Sequence, residues 1–279
     1  MTLQEATSLA PDALTIGLSI FLVSFVAYLA YGKKKNRITK SELTILYSLA
    51  FIIGLCKIVY APLVLLYFLI PASKFGSKKA KVIHATIIGV IFLILNISWL
   101  LISASLIIEF QPGVNSGAQV AHILANPLHY LSVGLSTIEL YGINWLYGVL
   151  GITLGAFNFI LPNFYFVSTL VFVSVLLLQK HERIVQIKPL ARTLFCVIFF
   201  SIFILICTSV YLQWTAVGAN IIEGVQGRYF IPILALLPFM LNRKHNSDVH
   251  AEIITEPKIF YYAIMMNAIA LIVFFAQNV

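Results

Sequence analysis

Charge is scarce in this chain. Only 10% of its 279 residues are Asp, Glu, Lys or Arg, whereas 61% are hydrophobic, and the mean hydropathy is +0.98. That balance lies outside the range of soluble globular domains. Acidic residues are scarcest, ten against eighteen basic, for a net charge of +8. The basic surplus falls in short loops between apolar segments, where topology and anionic lipid account for it, so it is no nucleic-acid footprint. Cysteine is limited to Cys56, Cys196 and Cys207, all inside apolar runs without metal spacing. A disulfide framework and a zinc site are excluded, and neither metal nor cofactor is expected. No Lys or Arg precedes the first apolar run, only Glu5 and Asp12, which excludes a secretory signal peptide. No internal repeat is present, which speaks against inverted-repeat transporter folds.

What is present is a series of apolar stretches near 20 residues, the length an α-helix needs to cross a bilayer. Sixteen of the eighteen basic residues gather in four clusters between them. These are Lys33 to Lys40, Lys74 to Lys81, Lys180 to Arg192, and Arg243 to Lys258. The pattern is the positive-inside signature, each cluster marking a cytoplasmic loop. The fold class is therefore all-α, a polytopic transmembrane helix bundle forming one integral membrane domain over 1–279. Lys57 and Arg228 alone break the pattern, and an off-pattern charge in a membrane protein points to function.

The clusters set the path. Residues 1–12 lie outside and a first span covers about 13–31. The stretch 43–71 begins and ends at cytoplasmic clusters, so it crosses twice, as two short helices meeting at an outer apex near Lys57. Pro62 would start the second helix, where a missing N–H costs nothing. Further spans fall at about 82–108, 160–178, 193–213, 229–241 and 259–277, eight in all with both termini outside. The segment 229–241 is short for a crossing. The outer-facing segment, about 109–158, reads as short, re-entrant or amphipathic helices, or alternatively as further crossings. Tyr31, Trp145, Tyr165, Trp214, Tyr229 and Tyr261 fit interfacial aromatic belts. Gly151 and Gly155 form a GxxxG pattern suited to close helix contact, and the glycosylation-like Asn96-Ile-Ser98 lies inside a span.

The densest polar stretch outside the basic loops is Glu223-Gly224-Val225-Gln226-Gly227-Arg228-Tyr229. Its glycines allow a backbone to approach a ligand closely. Arg228 offers a planar fork matched to phosphate oxygens; the competing reading pairs it with Glu223 or lets it snorkel. Five carboxylates could serve as bases on the outer side: Glu5, Asp12, Glu109, Glu139 and Glu223. Glu139, with apolar neighbours, and Glu109 are the catalytic candidates, while Glu223 reads as a partner of Arg228. His122 and His129, seven apart, could share a helix face without a third ligand.

These stretches carry a resemblance. Gly224-x-Gln226-Gly227-Arg228-Tyr229-x-x-Pro232, Lys57-x-x-Tyr60-x-Pro62, and Gln119-x-x-His122-x-x-x-Asn126-Pro127 resemble landmarks of the bacterial membrane family called domain of unknown function 2142 (DUF2142). The resemblance implies a GT-C-like bundle, related to membrane glycosyltransferases that take sugars from polyprenyl-phosphate carriers. It implies a bacterial cytoplasmic (inner) membrane, multi-pass, and a part in cell-envelope polysaccharide assembly. The expected partners are membrane lipid and a polyprenyl-phosphate-linked sugar. Lys57, Tyr60, Gln226, Arg228, Tyr229, Gln119 and His122 become substrate-binding residues. Pro62, Asn126, Pro127, Gly224, Gly227 and Pro232 become structural ones. The resemblance implies that the family's leading span and acidic outer loop are missing, and the catalytic carboxylate with them, so a separate N-terminal segment or the envelope-glycan machinery is a further expected partner. Enzymatic transfer is therefore open. The alternatives are a non-catalytic or scaffold protein and a lipid or solute transporter.

Overall fold

The structure is a computed structural model that describes residues 11–32, 37–104, 112–154, 159–178, 187–241 and 254–278. Helix α1 (Pro11–Tyr31) buries Ile16, Leu22, Val23, Val26 and Leu29. Its far end is capped from another segment, as Lys74 Nζ donates to the Leu29 carbonyl at 2.6 Å. A cation at unsatisfied C-terminal carbonyls is favourable. The basic end of the bundle is thus the C-terminal end of α1, and Asp12 lies at the opposite end.

Helix α2 (Lys40–Cys56) starts in a capping box, where Glu42 N–H donates to Thr39 Oγ1 and Glu42 Oε2 accepts from Thr39 N–H. It stops at Lys57, which is extended at φ −150° and ψ 123° and joins α2 directly to a 3-10 helix, Ile58–Leu69. Twelve residues of 3-10 helix cover about 24 Å, close to the about 26 Å of the seventeen-residue α2. A stretch too short for two α-helices thereby turns back through the bundle, with Lys57 at its apex. Tyr60, Leu63 and Leu66 recur every third residue and are buried together, matching the three-residue period. Pro62 does not start this helix but lies inside it. The first turn already closes when Tyr60 N–H donates to the Lys57 carbonyl at 3.1 Å, and proline's fixed φ suits 3-10 geometry.

Helix α3 (Lys78–Ala104) packs on α2, with Phe92 and Asn96 against Gly54. The buried Asn96 donates to the Phe92 carbonyl at 2.8 Å. Helices α4 (Ser116–Ala125) and α5 (Pro127–Leu150) follow, joined at Asn126 with Pro127 in the first turn of α5. Strands β1 (Thr153–Leu154) and β2 (Phe159–Ile160) make a small antiparallel pair. Helices α6 (Asn163–Leu178) and α7 (Pro189–Gln213) come next.

Tyr130 of α5 meets Thr208 and Tyr211 of α7, and Trp145 meets Phe203. Fifteen residues along α5, about 22 Å, match five to eight along α7, about 8–12 Å. Helix α5 therefore crosses α7 obliquely. Leu124, Leu128, Leu131, Leu135 and Ile138 form an exposed apolar stripe along α4 and α5.

The short segment after residue 226 is irregular: a 3-10 turn, Gly227–Phe230, then α8 (Ile231–Leu234) and α9 (Leu237–Met240). Phe230 stacks on Phe203 and Phe239 on Phe195, so the segment runs back along α7. Tight turns lengthen its reach, as in the hairpin. Helix α10 (Glu256–Asn278) leans on α6, with the Phe172 and Tyr262 rings stacked at 3.8 Å.

The expected spans fall on helical segments where the structure describes them, with 229–241 broken into short pieces and 105–108 outside the described residues. Four helices are long and apolar enough to cross a membrane: Asp12–Tyr31, Lys78–Trp99, Pro189–Gln213 and Glu256–Ala276. Two further expectations are corrected. Gly151 is left-handed at φ 78° and ends α5, so it belongs to no GxxxG helix face; Gly155 lies outside the described residues. Trp145 belongs to no interfacial belt, being buried with its indole N–H donating to the Val225 carbonyl at 3.0 Å.

Candidate functional site

Asp12 joins the two off-pattern cations. Lys57 Nζ donates to its Oδ1, and Arg228 Nε lies 3.3 Å from its Oδ2. Asp12 is 7% exposed, whereas the Lys57 and Arg228 side chains are about a third exposed. The Tyr229 ring flanks both, its centroid 4.7 Å from Lys57 Nζ and 5.8 Å from Arg228 Cζ. Tyr60 fixes that ring's backbone by donating to the Tyr229 carbonyl at 2.8 Å. Residues 12, 57, 60, 228 and 229 thus meet from three separate segments. The sequence signal for Asp12 is its spacing with Thr15 and Ser19, three buried polar residues at helical intervals on an apolar helix.

Beside this cluster lies a cavity of about 460 Å³. Lys57, Tyr60, Gln226 and Tyr229 stand in its wall with Ser209 and Gln213; Trp99, Ile206, Val210 and Ile58 add apolar surface to the same wall. Arg228 and Asp12 are not in that wall and reach it through Lys57 and Tyr229. Lys57 and Arg228 thus meet on a shared carboxylate, and of the two only Lys57 stands in the cavity wall.

The glycines of the motif serve the chain itself. A Cβ on Gly227 would stand 2.1 Å from the Trp145 carbonyl oxygen and 2.9 Å from Gly148 Cα, so only glycine lets this strand cross α5. Gly224 has φ +88°, and a Cβ there would meet the Trp214 ring at 2.5 Å. Pro232 is buried in the first turn of α8.

Gln119 and His122 stand apart from the cavity wall. Gln119 is fully buried and accepts the Gly218 N–H at 2.9 Å. His122 packs under Gly218 and edge-on against His129, the rings 5.3 Å apart. Thr137 and Thr215 accept the N–H groups of Ile222 and Glu223, and Tyr211 donates to the Ala219 carbonyl. These residues hold the 214–226 loop in one shape, and a rigid loop holds Gln226 and Arg228 in register.

Glu139 is exposed on α5, and Glu223 is exposed in the loop. Glu5 and Glu109 lie outside the described residues. The carboxylate recorded in an ion pair with Arg228 is that of Asp12, where the sequence suggested Glu223.

Residues 1–237 match the family described as predicted membrane protein (DUF2142), and the match contains all three motifs. No curated protein and no solved structure matches the chain. With that match spanning 237 of its 279 residues, the chain belongs to the DUF2142 family of predicted membrane proteins.

Proposed function

We propose that this protein binds a polyprenyl-phosphate-linked sugar at the end of the bundle away from its basic loops, as a GT-C-like component of bacterial cell-envelope polysaccharide assembly in the cytoplasmic membrane. One observation carries the reading: the wall of the 460 Å³ cavity combines an ammonium group and two amides with the apolar side chains of Trp99, Ile206 and Val210. A wall that offers both a cation and apolar surface suits a ligand with an anionic head and a hydrocarbon tail. Lys57 supplies the charge, Tyr229 and Gln226 shape the head site, and Arg228 acts through Asp12.

Binding rather than sugar transfer is the step these residues favour. An inverting transfer needs a carboxylate facing the acceptor hydroxyl. Asp12 faces two cations, and Glu139 and Glu223 face outward. A non-catalytic carrier-binding protein is the second reading, favoured by that exposure. The test is direct binding of a short-chain polyprenyl-phosphate sugar to the protein in nanodiscs. Saturable binding that weakens about tenfold or more in Lys57→Ala supports the reading; no saturable binding, or binding unchanged by Lys57→Ala, overturns it. Release of free polyprenyl phosphate on adding a glycan acceptor would separate transfer from carrier binding.

A further inference from the structure

We infer that Asp12 is a specificity residue that tunes this site to anions of low charge, favouring a lipid phosphodiester over a lipid diphosphate. The inference rests on the lipid-phosphate reading above. Asp12 is buried, pairs with both cations of the cluster, and stands behind the cavity wall that Lys57 lines. Its negative charge is therefore a fixed part of the field a ligand meets beside Lys57, in a setting that solvent screens poorly.

Field and desolvation scale differently with ligand charge. Attraction to the site grows in proportion to the charge, whereas the cost of leaving water grows as its square. The best-bound charge therefore follows the strength of the positive field. Asp12 subtracts one unit from that field, whatever further contacts Arg228 makes, and shifts the optimum toward a single negative charge. A carboxylate so close to the ammonium group is felt strongly at an effective dielectric near that of a protein surface. Neutralising it makes the site more permissive to diphosphates.

The experiment compares two probes of one polyprenyl chain length: the phosphate methyl ester, with one charge, and the diphosphate. Dissociation constants are measured with the protein in zwitterionic nanodiscs. In Asp12→Asn the affinity ratio should move toward the diphosphate by about tenfold or more, and Asp12→Glu should keep the parental ratio. Lys57→Gln weakens the field and should move the ratio the opposite way, so a poorly folded Asp12→Asn leaves a working test. Failure of the parent protein to bind either probe overturns the lipid-phosphate reading and this inference together. Binding of both probes with a ratio unmoved by Asp12→Asn in folded protein, or unmoved by Lys57→Gln, overturns the inference alone.

Discussion

Lys57 donates a hydrogen bond to Asp12, forty-five positions earlier in the chain, and so closes the apex of the α2 hairpin onto the first turn of α1. Arg228 approaches the same carboxylate from the start of the last packed segment. Three charges that would each be unfavourable beside hydrocarbon compensate one another there.

Removing the carboxylate should therefore destabilise the bundle. Asp12→Ala leaves two cations facing each other, and with both about a third exposed the expected loss is about 1–3 kcal/mol, less than for a fully buried pair. Lys57→Ala should cost less in the Asp12→Ala background than alone. Denaturant unfolding in detergent measures both; strictly additive losses would mean that the pair is not coupled.

Gly227→Ala should be among the most damaging single-methyl changes in the protein, at about 3 kcal/mol, because the added carbon meets the Trp145 carbonyl oxygen at 2.1 Å. Gly148→Ala faces a 3.1 Å approach to Gly227 Cα and should cost about 1 kcal/mol. Thermal unfolding of the two variants ranks them, and the reverse order would contradict the crossing described above.

Accessibility labelling tests the two ends of the bundle. With the three native cysteines replaced by alanine, Ser77→Cys should react only from the cytoplasmic side. Ala118→Cys and Glu223→Cys, both at exposed positions, should react only from the other side. Labelling of residues 77 and 223 from one side would remove Lys57 from the outer end.

Lys57→Ala should weaken polyprenyl-phosphate binding more than Arg228→Lys does, since only Lys57 lines the cavity. The lysine at 228 keeps a charge near Asp12 but not the planar fork, so a loss of about three- to tenfold is expected. The double variant should lose less than the sum. Isothermal titration in nanodiscs reads all three.

Gln119→Leu separates a loop-holding role from a ligand-binding one. It leaves the Gly218 N–H without its acceptor, for a loss of about 1–3 kcal/mol. Limited proteolysis should cut the 214–226 loop faster, while probe affinity of the intact fraction stays within about twofold. A larger affinity loss with unchanged proteolysis would return Gln119 to the binding site.

The helical segments and the ends they share were legible in the chain because hydropathy and the placement of Lys and Arg obey a strong solvent constraint. The hairpin apex at Lys57 followed from parity alone: two basic clusters flank one apolar stretch, so the stretch must return. The 3-10 form of Ile58–Leu69 was less visible, since its three-residue burial period competes with an α-helical reading of the same apolar run. Composition also singled out Lys57 and Arg228, because they fall outside every cluster.

Their common partner was decided only by tertiary structure. Asp12 was one carboxylate among five read as outer. Its spacing with Thr15 and Ser19 marks a polar stripe, but that stripe names no partner, whereas Glu223 lies much nearer Arg228 in sequence. Packing made the choice: α1 lies against the returning 3-10 helix and against α8, which carries its first turn to both cations. The glycines of the motif divide in the same way. Their unusual density can be read from sequence, but that Gly227 yields to Trp145 and Gly148 rather than to a ligand depends on where α5 crosses. Burial pattern is a local property of the chain, whereas pairing of charges depends on which helices the bundle brings together.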